Sequence, residues 1–459
     1  MMSNVLRSSS IPYTQTCAER YAAGKALRAQ CPRSSHGWWE PAPDRPDPLS
    51  ILEASNRTRV EHLVPIRYGR MLVSPYNFLR GSAAMMAHDL ATMPITGIST
   101  QICGDAHLGN FGIYATPERN LVFDVNDFDE TVSGPWEWDV KRLATSLVVV
   151  GRQNGFSARD CQQAVRSCVS SYHERMYEFS TMRQIDLWYA RVDVELLRTV
   201  ADRDLLPRLD RAISKAQQRT SIRAFPKLTH VVNGQVRIKD DPPLIDHRPN
   251  EQLSTHFPAF VAGYLESIRE EQKTLFQWYQ PIDLAWKVVG VASVGTRCYI
   301  VLLWGGGEEN DPLFLQIKEA RPSALEPYTG TSPYANPAQR IVHGQRLMQA
   351  ASDIFLGWTR FENVNYYVRQ LRDMEWSGDV TTMNLARFTV YAQLCGWALA
   401  RAHARAGDPA LISGYLGKSE TFAEALAEFA SAYADQNERD YASLVTAVEA
   451  KRITAITDI

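Results

Sequence analysis

The chain has no apolar run that approaches a membrane span and no Cys-x-x-Cys pair. The first lack leaves no candidate for a helix that crosses a bilayer. Its seven cysteines, at 17, 31, 103, 161, 168, 298 and 395, are odd in number and unevenly spaced. Neither a zinc site nor a disulfide framework is suggested, and free thiols in a reducing cytosol are the simpler account. An excess of one charge is also missing: the formal net charge is −2, so no global basic field points to nucleic acid or an anionic membrane. Local basic clusters can still bind a phosphate. The opening residues MMSNVLRSSSIPYTQ lack the continuous apolar stretch of a secretory signal, no internal repeat or low-complexity segment occurs, and a cytoplasmic protein is expected. At 459 residues the chain exceeds one simple core, which predicts two or three domains.

What is present concentrates between Gln101 and Glu130, QICGDAHLGNFGIYATPERNLVFDVNDFDE. Asp105, His107, Asn110, Asp124, Asn126, Asp127, Asp129 and Glu130 lie here between short apolar runs that read as strands. Carboxylates crowded this way repel one another and cost desolvation, so a plain structural loop seldom carries so many. A divalent cation relieves that repulsion, and hard oxygen ligands are what Mg2+ prefers.

Around this stretch, residues 1–50 end in HGWWEPAPDRPDPLS and read as an extended arm on the body, with Trp38 and Trp39 docked in a groove. Arg67, Arg70 and Arg80 are either an anion site or arginines at the surface or paired with carboxylates. Ile98–Cys103 leads into a hairpin of Phe111–Tyr114 and Leu121–Val125, turned by TPERN. Pro135 suits a helix start, and Val140 to Val150 is apolar enough for the core. Residues 157–225 read as helix with Ser157 as N-cap, and HVVNGQVRIKD as a hairpin about Asn233-Gly234. After a helix near 255–278 come three antiparallel strands; two of them flank Gly290-x-x-x-x-Gly295, GGGEEND turns the chain, and the third carries Lys318. Helix follows from Pro337, then a strand-like NYYVRQLRD, then helices at 384–406 and 420–450.

Asp105-x-x-x-x-Asn110 has the spacing of a kinase-type catalytic loop, in which Asp orients the attacking hydroxyl and Asn holds a metal. The segment GDAHLGN, the hairpin and then Asp127-Phe128-Asp129 resemble the catalytic loop and metal-binding Asp of the aminoglycoside phosphotransferase and choline kinase branch of the protein-kinase-like superfamily. That resemblance implies a brace at Asp139, a phosphate-covering loop at GVASVGT (Gly290, Ser293, Gly295) and a phosphate-contacting lysine at Lys318. The plainer readings are a pair of hairpin glycines and an exposed strand lysine. Departures from the pattern are a Cys at 103 where a His often stands, an Asp at 129 where a Gly often ends the triplet, and no Glu on the helix 337–351. Glu326, just before that helix, is the substitute partner expected for Lys318. The order of the parts is reversed, and LCGWALARAHARAGD, which resembles the helix leading into the catalytic loop, lies far downstream. A circularly permuted chain is implied, which short distances between termini allow. From about Arg67 to Tyr441 the sequence also resembles a mostly bacterial group, domain-of-unknown-function family 2252, through FLRGSA, CGDAHLGNFG, NDFDET, GPWEWDVKRLA, KEARPSALEPY and ARAHARAGD.

The expected fold is α+β, a kinase-like two-lobe arrangement. Residues 1–50 would form an arm, 51–225 the catalytic-loop part of a helical lobe, 226–375 a β-rich nucleotide-covering lobe, and 376–459 the helices completing the larger lobe. The expected activity is ATP- and Mg2+-dependent phosphoryl transfer to a small-molecule or protein hydroxyl. Asp105 and Asn110 would be catalytic; Gly290, Ser293, Gly295, Lys318 and Glu326 would bind the nucleotide. Asn110 and Asp127 would hold Mg2+. Asp124 is an alternative metal ligand, more often a strand-end carboxylate satisfied by backbone. His107, Asp129 and Asp139 would support the loop. Nucleotidyl transfer, a pseudokinase-like nucleotide-binding regulator and a metal-dependent hydrolase are the other readings.

Overall fold

A computed structural model describes residues 15–200, 206–247, 253, 255–307, 311–371 and 374–457. The first fourteen residues of the expected arm, part of the turn expected at 305–311 and the end of the loop after Asp246 lie outside the described residues.

A largely helical body surrounds one buried helix. Trp136–Gln153 has sixteen buried residues, among them the charged Glu137, Asp139, Lys141 and Arg142, so it has almost no solvent face. Ala158–Thr181, Leu385–Ala406 and the long Thr421–Glu449 pack against it and one another. Trp136 stacks on Tyr172 at 5.7 Å between ring centroids. Ser157 caps the second of these helices by accepting the Asp160 N–H. Four short strands border the body: β1 (Ser99–Ile102) pairs with β4 (Val132–Pro135), and β2 (Phe111–Ala115) with β3 (Leu121–Val125). The 157–225 segment is not all helix, because β5 (Val192–Asp193) adds to the free edge of β3.

The second half builds a six-stranded antiparallel sheet. After a hairpin of β6 (Thr229–Val232) and β7 (Gln235–Ile238), the strands are β8 (Ile245–Asp246), β9 (Tyr279–Lys287), β10 (Cys298–Gly305), β11 (Pro312–Ala320), β12 (Gly357–Phe361) and β13 (Val364–Gln370). Their spatial order is β12-β13-β11-β10-β9-β8. Side chains alternate between faces along each strand. Tyr299, Val301, Leu315 and Ile317 join one apolar cluster with Phe260 and Tyr264 of the helix Phe257–Leu265. Ile300, Leu302 and Phe314 join another with Ala224 and Leu228 of Ser221–Leu228. Both faces are covered, which explains why β10 and β11 are buried almost throughout. Lys318 belongs by alternation to the face of Phe314 and Gln316.

The described part of the N-terminal arm departs from the expected extended form. Thr16 and Glu19 make a reciprocal capping box that starts a helix at Cys17–Ala26. That helix packs on Pro409–Leu416 so closely that a Cβ on Gly24 would sit 2.0 Å from the Leu411 carbonyl oxygen. Of the two tryptophans expected in a groove, Trp39 is buried against Tyr433, whereas Trp38 is 70% exposed. The seven cysteines are free thiols. No described helix is long and apolar enough to cross a membrane.

Candidate active site

The loop from Cys103 to Asn110 is fixed from below by the buried helix. Gly104 turns the chain at φ +79°, and a Cβ there would lie 2.3 Å from the Glu130 carbonyl oxygen, so both backbone angle and space demand glycine. Asp139 accepts the N–H groups of Cys103 at 2.8 Å and Gly104 at 2.9 Å. His403 Nε2 lies 3.2 Å from the same carboxylate, with its Nδ1 bonded to Tyr172 at 2.9 Å. Asp139 therefore braces the loop, and His403 of LARAHARAGD reaches that brace from 264 residues downstream. The Asn110 side-chain amide donates to the Asp105 carbonyl at 2.8 Å, and His107 Nδ1 accepts the Gly109 N–H at 3.1 Å. Burial, with Arg80 and Arg142 nearby, pushes the His107 pKa well below its usual value, so the imidazole is a neutral part of the loop.

Asp105 stands at the centre. Arg142 donates Nε to its Oδ1 at 2.5 Å and Nη2 to the Leu79 carbonyl at 2.7 Å. Burial raises the Asp105 pKa to about 6; Arg142 opposes the rise, and Asp127 and Glu130 add to it. A carboxylate tuned this way is mostly ionised at neutral pH yet basic enough to accept a proton.

Asp124 is not available to a metal, contrary to expectation. It is fully buried, Arg401 Nη2 donates to both its oxygens at 2.8 and 2.7 Å, and it also accepts the Ala350 N–H and the Tyr114 hydroxyl. Its lone pairs and charge are already used. Asp127 differs. It accepts only a local bond, from the Asp129 N–H at 3.2 Å, and no ion pair to it occurs among the described residues. Burial and the neighbouring Asp129 raise its pKa despite Lys318 and Arg369.

Lys318 also finds a partner other than the expected one. Its Nζ lies 2.6 Å from Asp129 Oδ2, while Tyr367 donates its hydroxyl to Asp129 Oδ1 at 2.7 Å. Burial disfavours both charges, yet the pair holds Lys318 well above its ordinary pKa and Asp129 below its own. Glu326 turns away: it accepts the Ser323 N–H at 3.0 Å and faces Arg340 Nε at 3.5 Å. Arg340 is itself committed to the carbonyls of Asp129, Thr131 and Arg321. Asp129 fills the role expected of Glu326 because it sits directly opposite β11, whereas Glu326 begins a short helix beyond it.

Between β9 and β10 the glycine loop has left-handed angles at Gly290 and Gly295. Arg70 donates to the Gly290 carbonyl at 2.6 Å, and Arg59 to those of Ala292 and Val294 at 2.7 and 2.5 Å. Carbonyl and N–H of a trans peptide point opposite ways, so the N–H groups of Val291, Ser293 and Gly295 face away from those guanidinium groups. Ser293 Oγ donates to Asp129 Oδ2 at 3.3 Å. Arg67, Arg70 and Arg80 do not act as one anion site. Arg67 is buried against Ser55, Asn56 and the Gly81 carbonyl, while Arg80 lies over the Tyr76 ring.

Asp105, Asp127, Asp129 and Ser293 line one cleft of about 650 Å3, within the size usual for small-molecule sites. Lys318 is buried behind Asp129, 4% exposed. Among the described residues no three His, Cys, Asp or Glu side chains group as a metal cage. Sequence reasoning missed Arg142, Arg401, Tyr367 and Arg340. Each is tied to a partner at least 37 residues away, and no local spacing marks such pairs. A family model described as an uncharacterized protein conserved in bacteria, domain-of-unknown-function family 2252, matches residues 59–447. No curated protein and no solved structure matches the chain. The family match takes in the Asp105 loop, Asp127 to Asp129, the glycine loop, Lys318 and the downstream braces Arg401 and His403 alike, and by its extent the chain belongs to that family.

Proposed function

We propose that this cleft is the active site of an ATP- and Mg2+-dependent phosphotransferase with a circularly permuted kinase-like chain. The observation that carries the reading is the meeting of Lys318 with the Asp127–Asp129 turn, 2.6 Å apart at Asp129 although 189 residues separate the partners. The downstream helix that reaches Asp139 supports it as well, since it joins the loop in space while lying far from it in sequence.

The residues fit the groups they would take. Asp127 is a carboxylate with burial and a like charge against it and, among the described residues, no cationic side chain bonded to it, which a hard cation would relieve. Mg2+ keeps most of its shell for water and phosphate oxygens, so one carboxylate and the Asn110 amide oxygen suffice and no preformed cage is needed. When bound, the metal and nucleotide supply the activated phosphoryl group and neutralise its charge. Asp105 then orients an acceptor hydroxyl and takes its proton, with Arg142 fixing the carboxylate. Lys318, kept charged by Asp129, adds positive potential at the phosphates. The Ser293 loop covers them.

A first test is thermal stability with and without Mg-ATP, on the wild type and Lys318→Ala. Binding should raise the wild-type midpoint in a concentration-dependent way, and a flat response at millimolar Mg-ATP sinks the proposal. Product mass then separates phosphoryl from nucleotidyl transfer. The turning of Glu326 to Arg340 favours a second reading, a nucleotide-binding regulator without catalysis. In that case Mg-ATP stabilises the protein but no acceptor screen yields product. A metal-dependent hydrolase would show activity that survives Lys318→Ala.

A further inference from the structure

The cleft has a second wall with the opposite charge. Arg59, Arg297 and Arg321 line the same cavity as Asp105 and Asp127, with Glu130 and Glu319 among them. Arg297 and Arg321 share one carboxylate, Glu319, at 3.2 and 2.9 Å. Arg321 also donates to the Thr58 carbonyl at 2.7 Å. Arg59 makes its three hydrogen bonds to backbone carbonyls, of Ser55, Ala292 and Val294, and no carboxylate pairs with it among the described residues. Burial, with Arg67 and Arg321 close by, pushes the Arg59 pKa down to about 8, and Glu130 and Glu319 only partly offset this. Buried charge without a partner is costly, and guanidinium groups with spare N–H donors are built to take phosphate oxygens. The wall is also separate from Lys318, which is already matched by Asp129.

We infer that Arg59, Arg297 and Arg321 form an anion subsite for the acceptor, which therefore carries a phosphate group as well as the hydroxyl presented to Asp105. This rests on the phosphotransferase reading. A phosphate group held on the arginine wall and a hydroxyl at the acidic wall would span the cleft and fix the direction in which the acceptor lies. A phosphorylated small metabolite and a phosphorylated side chain of a protein share this chemistry.

The test uses inorganic phosphate as probe, with succinate at matched ionic strength as the carboxylate control, read as thermal shift of the full chain beside Mg-ATP. Phosphate should stabilise the wild type more than succinate does. Arg321→Gln and Arg297→Gln should each weaken the phosphate response at least tenfold in apparent affinity while keeping the Mg-ATP response. The Arg297 side chain is 39% exposed, so its loss leaves the fold intact even where Arg321→Gln does not fold. Lys318→Met should do the reverse. No phosphate response, a response unchanged in both arginine variants, or one abolished only by Lys318→Met overturns the subsite. An arginine-dependent phosphate response without any Mg-ATP response keeps the anion site and overturns the transferase reading instead. With the subsite established, transfer to phosphoserine peptides and to a panel of sugar phosphates separates the two sources.

Discussion

Asp124 and Asp127 stand three residues apart at the end of one strand, and their surroundings are opposite. Asp124 is sealed in the core with a guanidinium, a hydroxyl and a backbone N–H satisfying it. Asp127 opens on the cleft with a like charge beside it and, among the described residues, one local hydrogen bond. Both read in sequence as acids in an acidic stretch. The difference shows that burial of a carboxylate says little about its role until its counter-charge is found. A matched acid holds the fold together.

The contrast can be broken at several points. Asp105→Asn should leave Mg-ATP binding intact and slow transfer by about 10²–10⁴-fold, the usual worth of a positioned base; initial rates with a saturating acceptor measure it. Asp124→Ala should instead cost about 3–5 kcal/mol of stability, because Arg401 is left buried without its partner. Urea denaturation reads this, and a loss below about 1 kcal/mol would mean that Asp124 is not the matched acid described. Asp127→Asn should go the other way. Its folded pKa is raised, so the folded state binds the proton more readily than the unfolded chain, and the wild type loses stability as pH climbs through that value. The variant should equal the wild type near pH 4 and be somewhat more stable at pH 7, yet lose the Mg-ATP shift. Smallest is a pH effect on rate: with the Asp105 pKa at about 6, kcat/KM should fall towards tenfold per unit below pH 6 and level off above pH 7. A profile flat from pH 5 to 8 would remove Asp105 from the role of base.

Local features were open to a reading of the sequence. The β2–β3 hairpin, the Ser157 cap, the buried 136–153 helix and the strands either side of the glycine loop follow from periodicity and turn chemistry. The loop from Gly104 to Asn110 and its brace Asp139 were also legible, since they lie within one continuous stretch. What escaped was the pairing of charges across the chain. Nothing near Lys318 in sequence points to Asp129 rather than Glu326, and nothing near Asp124 points to Arg401. Those choices are made when β11 and the Leu385–Ala406 helix pack beside the early strands, a result of the whole topology.

The brace on Asp139 has a consequence for synthesis. The loop that holds Asp105 is made early, but His403 and Arg401, which steady Asp139 and Asp124, leave the ribosome almost three hundred residues later. Chains grow at roughly 5–20 residues per second, so the early strands must wait many seconds with two buried-to-be carboxylates unmatched. A nascent chain cannot finish the acidic wall of its cleft until that downstream helix has emerged and docked.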